Sequence, residues 1–142
     1  SGADVRRKLV ILARETGVEI NQEDVHIETF LPEACLEANT VEAFFAAVEA
    51  NEAHFERLKN VARDSGTLIR MIATFEKGVG SIRLAYVGPE HPMYQLSGSD
   101  NMIVFTTNRY NDRPLVIKGP GAGSEVTAAG IFAELVALAN HL

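Results

Sequence analysis

The order of the hydrophobic patterns along the chain constrains its fold more than any other feature. Near the start, Val5, Leu9 and Ala13 recur at the spacing of a helix face. From Leu68 onward, β-branched and apolar residues alternate with polar ones, as they do in strands. Residues 124–141 return to helical spacing. This order predicts an α+β fold with a mixed, largely antiparallel sheet, helices on one face and a C-terminal helix.

Local signals place the elements of the first half. Thr16-Gly17 ends the first helix, and a half-buried strand is predicted over residues 25–30. Thr40 is a good N-cap for a second helix, and Asn51 suits the start of a third. Asp64-Ser65-Gly66 closes the third helix, because glycine readily adopts the left-handed conformation there. The pattern leaves open whether these two blocks are separate helices or one kinked helix.

The second half is predicted to consist mainly of strands. Residues 68–75 and 81–87 read as a hairpin around a turn at residues 77–80. Residues 102–107 are apolar nearly throughout, so we expect a strand that is buried on both faces. A short strand at residues 115–117 then leads into the final helix. The apolar face of that helix would consist of Val126, Phe132, Leu135 and Leu138.

Composition excludes several classes of protein. With 142 residues, 46% of them hydrophobic, the chain can bury the core of one domain. The net charge of −6 argues against a nucleic-acid partner, which normally requires a basic patch. The apolar runs are too short for a membrane span, and no signal peptide is visible. The single cysteine, Cys35, fits a reducing compartment such as the cytoplasm and is expected to be chemically inert.

Asp4 and Lys8 form the first candidate site. Their spacing of four residues places them on one face of the first helix. Two such residues can form an ordinary surface ion pair. A lysine can also exchange a proton with a substrate oxygen, and a nearby carboxylate can bind a cationic group of the substrate. The spacing alone does not choose between these interpretations.

Gly119-Pro120-Gly121-Ala122-Gly123 forms the second candidate site, between an apolar strand and a helix. Glycines allow close approach of a ligand to the backbone, and the free N–H groups of a helix start attract anions. The spacing is not that of the dinucleotide fingerprint, because Ser124 or Val126 occupies its last glycine position. A tight connection between strand and helix therefore remains an alternative.

Metal and hydrolase motifs are missing from the sequence. His26, His54, His91 and His141 do not occur at the pair spacing of metal ligands, so we predict no metal site. The chain also contains no G-x-S-x-G nucleophile elbow and no P-loop. These observations argue against a metalloenzyme, an α/β-hydrolase and a P-loop nucleotide-binding protein.

Two longer stretches resemble a known family. Residues 1–9, Ser-Gly-Ala-Asp-Val-Arg-Arg-Lys-Leu, resemble the S/N-G-x-D-V-x-R-K-L stretch of homoserine dehydrogenases. Residues 119–130 are similar to that family's G-x-G-A-G-x-x-V-T-A-A-G motif. Residues 98–101 and 105–107 between them are also similar, whereas residues 18–51 match only loosely. The chain is most similar to the bifunctional aspartokinase/homoserine dehydrogenases.

The resemblance implies a function and a role for each candidate residue. The family interconverts L-homoserine and L-aspartate 4-semialdehyde with NAD or NADP, a step toward threonine and methionine. It implies that Lys8 passes a proton to or from the substrate oxygen, that Asp4 helps to bind the substrate and that Gly123 contacts the cofactor. It also implies that the sheet pairs two subunits as a homodimer or higher oligomer.

The resemblance also implies where this chain lies in the enzyme. The family's nucleotide-binding region, with its glycine-rich fingerprint, is not present in the sequence. We therefore expect residues 1–142 to be the catalytic and dimerisation domain, inactive alone, with the nucleotide-binding region upstream. The C-terminal helix would then return to that region. Two alternatives are a non-catalytic dimerisation module and an amino-acid-binding regulatory module, although the latter usually alternates strands and helices as βαββαβ.

Overall fold

A computed structural model describes residues 2–121 and 123–141. The chain divides into two compact units, residues 1–88 and residues 89–142. The first unit contains helices α1 (Ala3–Glu15), α2 (Glu33–Leu36), α3 (Val41–Ala50) and α4 (Glu52–Asp64), with strands β1 (Val25–Ile27), β2 (Leu68–Glu76) and β3 (Val79–Val87). The second contains strands β4 (Asp100–Phe105) and β5 (Leu115–Pro120) and helix α5 (Ser124–Ala139). The fold is α+β, as predicted.

The strands form two small sheets where the sequence predicted one. In the first unit β3 lies in the middle, antiparallel to β2 and parallel to β1. In the second unit β4 and β5 form a two-stranded antiparallel ribbon. A pattern of alternating residues indicates strands but does not say which of them are neighbours, and this explains the difference.

The core of the first unit lies between α1 and the three-stranded sheet. Leu9, Val10 and Ala13 of α1 pack with Val25 and Ile82 of the sheet and are at most 7% exposed. Helix α1 ends at Glu15, where Thr16 caps it, as its sequence predicts. The Nε atom of Arg14 then donates to the carbonyl oxygen of Ile20 at 2.9 Å, which joins the end of α1 to the following loop.

Gly80 allows α1 and β1 to lie close to β3. A Cβ atom built at this position would lie 2.9 Å from Cγ2 of Val25, 3.3 Å from Cδ1 of Ile20 and 3.4 Å from Cδ2 of Leu9. Real Cβ contacts are rarely so short, so a larger residue would push the core apart. Gly80 was predicted to belong to a turn, whereas it lies within β3.

The hairpin between β2 and β3 has a shorter turn than predicted. Glu76 pairs with Val79, which leaves only Lys77 and Gly78 in the loop. Both have positive φ angles, 51° and 83°. This is the pattern of a type I′ turn, whose twist matches that of the flanking strands. The predicted turn over residues 77–80 therefore contracts to two residues, and Val79 and Gly80 join the strand.

The predicted helical blocks after Thr40 are two helices. Oγ1 of Thr40 accepts a hydrogen bond from the backbone N–H of Ala43 at 3.1 Å, which confirms the predicted N-cap of α3. Asn51 separates α3 from α4 with φ −112° and ψ 24°, outside the helical region. Gly66 follows α4 with φ 64°, the predicted left-handed conformation.

The strand predicted over residues 25–30 ends at Ile27. Beyond it, the backbone N–H of Glu28 still donates to the carbonyl oxygen of Ile82 in β3.

The second unit exposes more apolar surface than its sequence predicted. Strand β4 is half-buried or exposed along its length and not buried on both faces, because β5 is the strand that pairs with it. No described residue between 89 and 141 is buried. The apolar residues of α5 are exposed as well, with Phe132 at 68%, Leu138 at 61% and Leu135 at 59%. A buried face for α5 is therefore absent from the described part of this unit.

Candidate functional site

Asp4 and Lys8 lie on the side of α1 that faces away from the core. The buried residues of this helix define one face, and Asp4 and Lys8 lie one turn apart on another. Nζ of Lys8 lies 2.9 Å from Oδ2 of Asp4. The two side chains are 60% and 74% exposed. The structure thus brings together the two charged residues that the sequence singled out.

The charged pair is accessible to a ligand. An ion pair this exposed contributes at most about 1 kcal/mol, because water screens it and both long side chains lose freedom. The Lys8 ammonium has three donors, of which Asp4 engages one, and the Asp4 carboxylate accepts through two oxygens. The arrangement can therefore bind a polar group of a small molecule at modest cost in stability.

A small apolar cavity of about 30 Å³ lies elsewhere in the first unit. Gly2, Ile27, Phe30, Met71 and Ile82 contribute to its walls, and neither Asp4 nor Lys8 does. Its size suits about one water molecule. This cavity is too small for an amino acid, so it is not the candidate site.

The glycine-rich segment lies in the second unit. Gly119 and Pro120 belong to β5, so the connection to α5 is shorter than predicted and begins at Gly121. Ala122 lies outside the described residues. Gly123 is the N-cap of α5 with φ 159° and ψ 148°, and a Cβ atom built on it would meet no described atom within 4 Å. The backbone at Gly123 is thus open to a ligand, although Glu125 places a negative charge in the first turn of the helix.

Asn101 of β4 has its side chain beside this segment. A Cβ atom at Gly121 would overlap the side-chain amide of Asn101. The backbone N–H of Gly121 and the Nδ2 group of Asn101 both donate to the carbonyl oxygen of Ser99, at 3.5 and 3.4 Å. Nothing in the spacing of Asn101 and Gly121 along the sequence indicated this contact, because it depends on the pairing of β4 with β5.

Three of the four histidines have hydrogen-bond contacts within the chain. Nε2 of His54 lies 2.8 Å from the carbonyl oxygen of Phe30, and its ring makes an edge contact with Phe55. Nδ1 of His91 accepts from the backbone N–H of Met93, and Nδ1 of His141 lies 2.9 Å from the carbonyl oxygen of Ala137. Within residues 2–121 and 123–141, no group of three metal-binding side chains occurs. In the same ranges, no helix has the length and apolar character needed to cross a membrane.

Known proteins are similar in sequence to the whole of this chain. Bifunctional aspartokinase/homoserine dehydrogenase 2, chloroplastic, of Arabidopsis thaliana is 40% identical over 144 aligned residues, which cover 100% of this chain and 16% of that protein. Bifunctional aspartokinase/homoserine dehydrogenase 2 of Escherichia coli (strain K12) is also 40% identical, with 100% of this chain and 18% of that protein covered. This chain thus spans less than a fifth of these relatives.

A solved structure and a family profile indicate the same family as these relatives. The crystal structure of a putative homoserine dehydrogenase from Archaeoglobus fulgidus matches with a TM-score of 0.65 and 28% identity, over 96% of this chain and 35% of that one. The sequence profile of homoserine dehydrogenase matches residues 1–136. From its first helix to the last turns of α5, the chain therefore belongs to the homoserine dehydrogenase family.

Proposed function

We propose that this chain is the substrate side of an NAD(P)-dependent homoserine dehydrogenase that interconverts L-homoserine and L-aspartate 4-semialdehyde. The observation that carries the proposal is the Asp4–Lys8 pair, with 2.9 Å between its charged atoms and both side chains exposed. Both residues lie in the stretch that resembles the family's S/N-G-x-D-V-x-R-K-L motif. The parent protein, like the named relatives, would also carry an aspartokinase.

In this proposal Lys8 handles the proton of the reaction. In the reducing direction its ammonium donates a proton to the aldehyde oxygen as the carbonyl carbon accepts hydride. In the oxidising direction the amine takes the proton back from the hydroxyl group. A nicotinamide cofactor, when bound, supplies the hydride chemistry. The ammonium suits this task, because its proton is exchangeable and its charge stabilises the developing oxyanion.

Asp4 binds and orients the substrate in the same proposal. Homoserine and aspartate semialdehyde both carry an α-ammonium group, which a carboxylate binds through charge-assisted hydrogen bonds. Asp4 also positions the Lys8 ammonium through their ion pair. One carboxylate would thus bind the substrate and also hold the proton donor in position.

Gly123 contributes to the cofactor side. The open backbone at Gly123 and the N–H groups at the start of α5 fit a negatively charged or polar part of a nucleotide. The same segment is not a complete dinucleotide site, because its glycine spacing departs from the fingerprint. We propose that a nucleotide-binding region elsewhere in the parent protein provides the rest, and that residues 1–142 alone are inactive.

The exposed apolar surface of the second unit fits further contacts in the parent protein. Leu115, Val116 and Ile117 of β5 are 41–53% exposed at one edge of a two-stranded ribbon. A strand edge of this kind can pair with a second copy, so we propose a homodimer or higher oligomer formed through the strands. Helix α5 would pack on the nucleotide-binding region. We propose that the protein acts in the cytoplasm, whereas the Arabidopsis relative is named as chloroplastic.

A non-catalytic dimerisation module is the second candidate function. The exposed apolar residues of β5 and α5 favour it, and an exposed ion pair on a helix is by itself an ordinary surface feature. The two functions differ in what they require of Asp4. A dimerisation module needs no carboxylate there, whereas the enzyme does.

Asp4→Asn in the complete protein tests the proposal. Loss of one charge-assisted hydrogen bond costs about 1.5–3 kcal/mol, so we expect the KM for homoserine to rise about tenfold or more. The KM for NADP should change much less. The measurement is the initial rate of homoserine-dependent NADP reduction at varied concentrations of each substrate.

Glu56→Gln is the matched control for Asp4→Asn. Glu56 forms a similar exposed ion pair with Lys59 on α4, with 3.0 Å between the charged atoms. We expect this variant to behave as the wild type. A KM for homoserine that is the same in Asp4→Asn and in the wild type would contradict the proposed role of Asp4. A wild-type protein without homoserine-dependent activity would contradict the proposed function itself.

A further inference from the structure

The end of the β4–β5 ribbon contains a set of contacts that determines where the glycine-rich segment leaves the strand. Asp100 N–H donates to the carbonyl oxygen of Ser97 at 3.3 Å, and Gly98 between them has a φ of 59°. This tight turn fixes the direction of the Ser99 carbonyl group. That carbonyl then accepts from two donors, the backbone of Gly121 and the side chain of Asn101.

The side chain of Asn101 fills the space beside Gly121. Its amide occupies the position that a Cβ atom at residue 121 would need, so a larger residue there would displace the Asn101 side chain. The contact is specific to one end of the ribbon, because Asn101 pairs in register with Gly119 and Asp100 with Pro120. Gly121 is the first residue beyond β5, so Asn101 packs against the point at which the backbone leaves the strand.

A second contact strengthens the same end of the ribbon. Nζ of Lys118 lies 3.4 Å from Oδ2 of Asp100 and 3.4 Å from the carbonyl oxygen of Gln95. The two charged side chains are 38% and 30% exposed, less than those of the other ion pairs in the described residues. Lys118 thereby ties β5 to β4 and to the segment that precedes β4. The turn at Ser97–Asp100 is held from both sides.

We infer that Asn101 is a positioning residue for the cofactor side of the site, which it serves by holding Gly121 and, through it, the backbone of Gly123. The inference rests on the proposed function, because it assumes that Gly123 faces the cofactor. Asn101 acts through the Ser99 carbonyl, to which it and Gly121 both donate, and not by touching the substrate. Its loss should therefore weaken binding of the nucleotide and leave the proton transfer at Lys8 intact.

Asn101→Ala in the complete protein tests the inference. We expect the Kd for NADPH, measured by isothermal titration calorimetry, and the KM for NADP to rise about tenfold. The kcat at saturating NADP and the KM for homoserine should stay within about twofold of the wild type. Asn101→Asp keeps the shape of the side chain but loses the donor to Ser99, so it should weaken NADPH binding as well. Asn108→Ala, which removes an exposed asparagine from the loop after β4, is the control and should bind as the wild type does.

A double variant separates positioning from simple space filling. Gly121→Ala should lower the thermal midpoint, because its Cβ would displace the Asn101 amide from the Ser99 carbonyl, and Asn101→Ala should remove that overlap. We expect the double variant to regain the thermal midpoint of Asn101→Ala while its Kd for NADPH stays raised. An unchanged Kd in Asn101→Ala, or a rise of equal size in Asn108→Ala, would overturn the inference while the proposed function stands. A wild type without homoserine-dependent activity would instead remove the proposed function.

Discussion

At the scale of single residues, the Asp4–Lys8 pair shows what a sequence can and cannot specify. Spacing places the two side chains on one face of a helix, and the structure confirms their contact at 2.9 Å. Spacing does not distinguish a surface ion pair from a catalytic one, because both have the same geometry on an isolated helix. The motif around the pair, and not its spacing, connects it to a reaction.

Gly80 is a second residue whose role appears only in the fold. The sequence suggested a turn, whereas the residue lies in the central strand against Val25, Ile20 and Leu9. A glycine in a strand is normally unfavourable by about 0.5–1 kcal/mol relative to alanine. Here the gain from alanine is offset by overlap with the core.

Gly80→Ala should therefore destabilise the chain by about 1–3 kcal/mol, the usual range for overpacking a core. Urea unfolding followed by circular dichroism measures the change. Gly88→Ala is the matched control, because a Cβ atom there would meet no described atom within 4 Å and its φ is not in the left-handed region. Equal stability of Gly80→Ala and the wild type would contradict this prediction and show that the core accommodates the added methyl group without loss of stability.

At the scale of elements, local chemistry predicted most of the first unit. Helix α1, the cap at Thr40 and the end of α4 before Gly66 follow from signals within a few residues, and the structure confirms each of them. The β2–β3 hairpin was also predicted, but its turn was read as four residues. A Gly-Val-Gly sequence looks like a loop until the pairing of Val79 with Glu76 is known.

The two-residue turn makes a prediction about Lys77. Its φ of 51° is unfavourable for most side chains, whereas asparagine before glycine is the preferred pair in a type I′ turn. Lys77→Asn should thus stabilise the chain by about 0.5 kcal/mol or more. The midpoint of urea unfolding should rise without a change in its slope.

Glu76→Gln controls for the ion pair of Lys77. Nζ of Lys77 lies 3.7 Å from Oε1 of Glu76, and both side chains are more than 70% exposed, so this pair should contribute little. A lower unfolding midpoint in Lys77→Asn, with Glu76→Gln unchanged, would be inconsistent with a type I′ turn.

At the scale of the whole molecule, the fold class could be predicted from the sequence, but the exposure of the apolar residues of β4 and α5 could not. Helices followed by strands indicated an α+β fold, which the structure confirms. The apolar character of β4 and α5 indicated burial, yet none of their described residues is buried. A hydrophobic pattern indicates that a surface is buried, but it does not identify the surface that packs against it. The proposed oligomer and nucleotide-binding region would provide that cover.

The turnover of the complete protein after Lys8→Ala tests most directly whether Lys8 transfers the proton of the reaction. Loss of a positioned proton donor typically costs about 10²–10⁴ in rate, so kcat should fall by at least about a hundredfold while the circular dichroism spectrum stays that of the wild type. Lys59→Ala, which removes a lysine from a similar exposed pair on α4, should retain full activity. A Lys8→Ala protein that turns over homoserine as fast as Lys59→Ala would contradict the proposed proton transfer and leave only a non-catalytic dimerisation module.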